Sequence, residues 1–129
     1  MDLLAEYRRA TVIFEAGDAA GAARLLEPVV AAEPGNVSAR ELLARAYFAS
    51  AQLGRAEEQL RELVARQPAD HYAHHVLGRT LERLNRPAEA LPHLRMAAAM
   101  RPGDDPDDDY ARALRRVQEA LRRRPNGGH

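Results

Sequence analysis

The 129-residue sequence has no cysteine and no lysine. Without cysteine there can be no disulfide, no thiolate metal site and no cysteine nucleophile. All nineteen basic residues are arginine, and nineteen acidic residues bring the formal net charge to zero. That balance argues against a general nucleic-acid binder, which needs a basic excess. Serine occurs only at Ser38 and Ser50, neither in a glycine-framed elbow, and no glycine loop of the phosphate-cradling kind is present. No apolar run approaches the roughly 18 residues needed to span a membrane. The start, Met1-Asp2-Leu3-Leu4-Ala5-Glu6, lacks the basic region that opens a secretory signal. These absences set the expectation of a cytoplasmic, non-enzymatic chain without cofactor, nucleic-acid partner or membrane partner. Arginine in place of all lysine, with abundant alanine, points to a GC-rich bacterial genome.

What the sequence does have is a period. Pro34, Pro68 and Pro102 stand 34 residues apart, each followed two residues later by a capping type: Asn36, Asp70 and Asp104. A fixed period of this length decides the fold. Small residues recur at Ala10, Ala44 and Gly78, and bulky ones at Ile13, Tyr47 and Leu81. Ala22, Ala56 and Ala90 then open a second helix in each window. They are followed by Leu26, Leu60 and Leu94, and by Val29, Leu63 and Ala97.

Taken in order, the pattern predicts helices over 2–16 and 19–32, the second with Pro28 inside, where a lost hydrogen bond should bend it. Two more are predicted over 37–50 and 55–66, with a break at Gln52-Leu53-Gly54. In the third window Asp70 caps a helix from His71, with Val76, Leu77, Leu81 and Leu84 at helical spacing. Asn85-Arg86-Pro87 breaks it, and 88–100 forms its partner with Ala90, Leu91, Leu94 and Ala97 inward. After Asp104 the register is lost. Tyr110, Leu114, Val117 and Leu121 predict one amphipathic helix over about 106–123 that covers the last apolar face. The run Asp105 to Asp109, without the ligand spacing of a calcium loop, then sits at the positive end of the helix dipole, and Arg122 to Arg124 at the negative end. Residues 125–129 are expected to be disordered.

Two clusters invite chemistry. His71 and His75, four apart on one helix, are candidate ligands for a divalent metal, but a structural zinc site needs four ligands and a catalytic one three. Glu57 and Glu58 lie with Arg61 and Glu62 on a charged outer face, the pattern of a solvated helix rather than of paired catalytic carboxylates.

The windows resemble the tetratricopeptide repeat family, most closely in Leu77-Gly78-x-x-Leu81, Ala90-x-x-x-Leu94 and Pro102, over about Leu3 to Asp104. The family's early aromatic is replaced by Glu6, Arg40 and His74, and its glycine between helices survives only as Gly17, with Ala51 and Asn85 in its place. The resemblance implies an all-α solenoid: a single domain over 1–124 of three helix-turn-helix repeats (about 3–36, 37–70 and 71–104) plus the cap helix, wound as a right-handed superhelix. It also implies non-catalytic protein–protein interaction, with a peptide or partner helix held along the first helices of the repeats. Carried over residue by residue, the groove slots hold Tyr7, Thr11, Phe14 and Glu15, then Glu41, Arg45, Phe48 and Ala49, then Tyr72, His75, Arg79, Glu82 and Arg83. Phe14, Phe48, Arg45 and Arg79 are the expected contacts, being aromatics and arginines of the kind that dominate binding hot spots. The family's chaperone-binding members clamp a carboxylate with lysines and asparagines in these slots. Here only the arginines could serve, and Glu41 opposes a carboxylate. An alternative expectation is self-association through the apolar stripe of the cap helix.

Overall fold

A computed structural model describes residues 1–123, which form seven α-helices and no strand. Arg124 and the tail at 125–129 lie outside the described residues. The chain divides into two compact units, Met1–Leu63 and Val64–His129. The first contains α1 (Leu3–Glu15), α2 (Ala19–Ala32), α3 (Val37–Ala49) and the start of α4 (Leu53–Arg66). The second contains the end of α4, then α5 (His71–Arg83), α6 (Pro87–Met100) and α7 (Asp109–Arg122).

The helices begin where a short polar side chain can accept an otherwise orphaned backbone N–H. Asp2 caps α1 through Ala5 N, Asp18 caps α2 through Gly21 N, and Asn36 caps α3 through Ala39 N. Asp70 does the same for α5 through Ala73 N. The third member of the predicted capping series, Asp104, caps nothing. The cap of α7 is Asp108, which accepts from Ala111 N at 2.8 Å, so this helix starts at Asp109 rather than near Pro106. The reason lies in how the aspartate run is divided. Asp105 accepts the N–H of Asp107 to close a turn. The Arg101 guanidinium pairs with Asp108 and donates to the carbonyls of Ala98 and Asp105, which fixes the cap. Asp109 pairs with Arg112 inside the first turn.

The ends of α1, α3 and α5 share one construction. Gly17, Ala51 and Asn85 all have positive φ, at 97°, 60° and 61°. The next residue in each case donates back to the bulky column: Asp18 N to Ile13 O, Gln52 N to Tyr47 O and Arg86 N to Leu81 O. This is the left-handed stop that satisfies the last carbonyls of a helix. Because Ala51 completes it alone, the chain re-enters helix at once. α4 therefore starts at Leu53, not Arg55, with Gly54 in its first turn.

Each hairpin is closed by small residues. Ala10, Ala22, Ala44, Ala56 and Ala90 are all fully buried, as are Leu26, Leu94, Val29, Leu63 and Ala97. At Gly78 the fit leaves no room for a side chain: a Cβ there would come within 2.4 Å of Leu94 Cδ2. α2 runs unbroken through Pro28, which is exposed, and α6 runs through Pro92.

The residues standing in for the family's early aromatic form a polar column of their own. In the first unit Arg40 donates to the Pro34 carbonyl at 2.9 Å and to Gln59 Oε1 at 2.6 Å. In the second unit His74 Nε2 meets the Pro68 carbonyl at 2.8 Å and His74 Nδ1 meets His93 Nδ1 at 3.1 Å. Each member lies 34 residues from its counterpart. A carbonyl only accepts, so the His74 proton is on Nε2, and Nδ1 accepts from the His93 N–H while His74 is neutral.

Two substitutions of opposite sign check this account by urea unfolding. Ala51→Gly relieves a left-handed alanine and should raise stability by about 1 kcal/mol. Gly78→Ala overpacks Leu94 at a cost of ~1–3 kcal/mol, more than the ~1 kcal/mol gained in helix propensity, so its unfolding midpoint should fall.

Candidate functional site

In the first unit the groove slots fall at 7, 11 and 14 on α1 and at 41, 45 and 48 on α3, a spacing that puts each triplet on one helix face. Tyr7, Thr11, Phe14, Glu41, Arg45 and Phe48 are all half-buried, and Glu15 and Ala49 are exposed at the end of the two rows. Neither phenylalanine belongs to the core. The Arg45 guanidinium sits 5.0 Å from the Phe14 ring centroid, a cation–π contact that holds both side chains partly out of water. Thr11 turns its hydroxyl to its own helix, donating to the Tyr7 carbonyl at 3.0 Å.

Beside Tyr7 opens a cleft of about 330 Å³ lined by Leu3, Leu4, Tyr7, Glu33, Asn36 and Ser38. Of these only Tyr7 was legible as a site residue. The others come from the first turn of α1, the α2–α3 turn and the first turn of α3, which the repeat columns do not relate. Leu4 is 57% exposed, whereas Leu42 and Leu43, equally adjacent, are both buried, so a double leucine is no signal by itself.

In the second unit Tyr72 and Arg83 are exposed and Arg79 is half-buried. His75 and Glu82, expected in the groove, are engaged by α7 instead. α7 packs on α6 and touches α5, as α3 packs on α2 and touches α1. Tyr110 lies flat on His75, with ring centroids 4.2 Å apart and planes 13° from parallel, and His75 is 4% exposed. The Tyr110 hydroxyl is 2.9 Å from His71 Nδ1. Arg116 grips Glu82 with two bonds of 2.9 and 3.0 Å, the bidentate form that guanidinium favours. The sequence reading took Tyr110 only as part of an apolar stripe.

Burial first, then the Arg79 guanidinium, push His75 down to about 4 from its ordinary 6.5, with Arg116 adding to the effect and Asp108 and Asp109 opposing it. The folded-state value is depressed, so the unfolded chain binds more protons between the two values. The stability this group contributes is present above 6.5 and is lost as pH falls toward 4. Burial also raises the Tyr110 phenol to about 12. The weak metal candidates His71 and His75 are thus joined through Tyr110. Among the described residues no three histidine, cysteine or carboxylate side chains group to hold a metal. Glu57, expected on a solvated outer face, is half-buried and pairs with Arg61 at 2.9 Å.

The apolar stripe of α7 is covered: Ala113 and Val117 are buried, and Tyr110, Leu114 and Leu121 are half-buried. The large exposed aliphatic side chains of the first unit are on α1 instead, Leu4 and Val12, the latter 66% exposed. Among the described residues no helix is long and apolar enough to cross a membrane.

The tetratricopeptide repeat profile matches residues 14–80, just over half of the chain. The chain belongs to the tetratricopeptide repeat family. No curated protein matches it significantly. Solved structures of other tetratricopeptide repeat proteins share its fold at low identity. MamA of AMB-1 is 22% identical with a TM-score of 0.80, covering 95% of this chain and 71% of its own. The first repeat domain of Spaghetti (RPAP3), solved with an HSP90 peptide SRMEEVD, is 21% identical with a TM-score of 0.81, covering 93% of both chains. The Sgt2 repeat domain of Aspergillus fumigatus is 16% identical with a TM-score of 0.82, covering 99% of this chain and 84% of its own. The family is a protein-interaction fold, generally non-enzymatic.

The α5–α7 contact divides unequally between its two ends. Tyr110→Ala should lower stability in urea by about 2 kcal/mol through lost ring packing. Arg116→Ala, which removes an exposed ion pair, should cost less than about 1 kcal/mol.

Proposed function

We propose that this chain is a non-catalytic interaction module that holds a peptide or partner helix along the α1–α3 face of its first unit. The observation that carries the reading is the repeated half-buried row, Tyr7-Thr11-Phe14 beside Glu41-Arg45-Phe48, with Arg45 stacked over Phe14. An aromatic floor with an adjoining guanidinium offers apolar area and a bidentate partner for a carboxylate, on helices already formed before binding. A relative of the same fold, the Spaghetti (RPAP3) domain, was solved with a bound peptide, which supports this use of the fold. The mixed charge of Glu41 and Arg45 favours a segment carrying both signs over a purely acidic tail. In the second unit Tyr72, Arg79 and Arg83 remain candidate contacts.

The test is affinity capture from the source organism's lysate with wild type and Phe48→Ala, after matching their helicity and melting. A protein retained by wild type and reduced at least tenfold by the variant supports the face. Equal capture by both moves the contact elsewhere on the chain.

Self-association is the second reading, favoured by the exposure of Leu4 and Val12 on α1. Sedimentation should then show a mass that rises with concentration for wild type and stays monomeric for Leu4→Ser/Val12→Ser. A wild-type monomer at all concentrations would remove this reading.

A further inference from the structure

The row at His75, Arg79 and Glu82 on α5 is the 34-residue counterpart of the two rows of the first unit, yet two of its three members are taken by the chain's own α7. Tyr110 covers His75 and bonds His71 at one end, and Arg116 clamps Glu82 at the other. The two ends differ in what holds them. The Glu82 end is an exposed ion pair, which contributes little in water. The His75 end is a buried aromatic stack whose imidazole carries a buried, unpartnered Nδ1.

That Nδ1 finds no hydrogen-bond partner among the described residues. A protonated imidazole would carry an N–H there with no acceptor, an unsatisfied charged donor under a ring. The groups that act on it are Arg79 on α5, the α7 cap Asp108, and Asp109, Tyr110 and Arg116 on α7; His71 and Glu82 reach α7 beside it, through Tyr110 and Arg116. The two guanidiniums oppose a second positive charge. Of the carboxylates, Asp108 is committed to Arg101 and the Ala111 N–H, and Glu82 to Arg116. His74, on the α6 side of the same helix, is bonded to His93 and the Pro68 carbonyl. The His71–Tyr110 contact survives protonation, since the phenol oxygen can accept from Nδ1–H. His75 is therefore the proton-sensitive element of this contact.

We propose that α7 is a displaceable occupant of the α5 face, latched by neutral His75 beneath Tyr110 and released when His75 takes up a proton. Release exposes His75 and Glu82 beside Arg79, at the repeat positions that the first-unit rows occupy. The use of that surface for binding rests on the interaction reading above. The latch itself does not, and it is tested without any ligand.

The experiment is hydrogen exchange by mass spectrometry on the full chain at pH 7.5 and pH 5.2, corrected for the intrinsic pH dependence of exchange. This window leaves carboxylates largely ionised. Peptides from α7 should open roughly 20-fold more often at the lower pH, while α2, which contains no histidine, stays unchanged. His75→Phe, which keeps a ring under Tyr110 but cannot take a proton, should abolish the difference. Tyr110→Ala should leave α7 open at both values. Should His75→Phe fail to fold, the imidazole resonances of wild type decide: His75 must titrate well below the ordinary histidine range. The proposal is overturned if α7 protection is the same at both pH values, if α2 and α7 open together, if His75→Phe keeps the pH response, or if His75 titrates normally.

Discussion

Everything in each hairpin depends on how closely two helices can approach. That distance is set by a small residue on one helix meeting a leucine on the other, seen where Gly78 leaves no room for a Cβ against Leu94. Close approach brings dispersion contacts to full strength and fixes where every neighbouring side chain falls. The left-handed stops at Gly17, Ala51 and Asn85 serve the same end. They turn the chain within two or three residues, so that the next helix starts in register with the one just finished. Given the approach and the turn, the bulky column at Ile13, Tyr47 and Leu81 has one place to go.

This constraint explains why so much of the fold was legible. A column of alanines and leucines at one period is a direct record of repeated close packing, and the buried set follows it residue by residue. What was not legible is what the period does not encode. Asp104 sits in the capping column but fails to cap, because Arg101 selects Asp108 through a pairing that the repeat columns do not encode. Leu53 joins α4 early because one left-handed alanine completes a turn that the sequence pattern assigned to three residues. Gln59 and His93 went unread as partners of Arg40 and His74, since their bonds link two helices and leave no trace in the periodicity of either.

The candidate site divides the same way. Its six members in the first unit could be placed by counting in steps of 34, because a groove slot is defined by helix phase. Their openness could not, and neither could the cleft beside Tyr7, which is assembled from three chain segments of unrelated register. In the second unit counting placed His75 and Glu82 in the same column as the first-unit rows, but a column says nothing of what lies on top of it. An aromatic at Tyr110 is read from sequence as core-forming, and it does bury area, though against a polar row. The three rows thus share one helix spacing but differ in access.

The polar column has a consequence for how the repeats differ. Arg40 with Gln59 and His74 with His93 solve one problem, that of satisfying a prolyl carbonyl and bridging two helices, with side chains of different hydrogen-bonding character. The guanidinium only donates, so Gln59 must turn its amide oxygen toward Arg40, whereas an imidazole nitrogen donates or accepts and His93 can meet His74 with either. The slot therefore behaves as an interchangeable cassette. Backbone shape is held constant, and the choice of side chains decides only which donors and acceptors bridge the two helices.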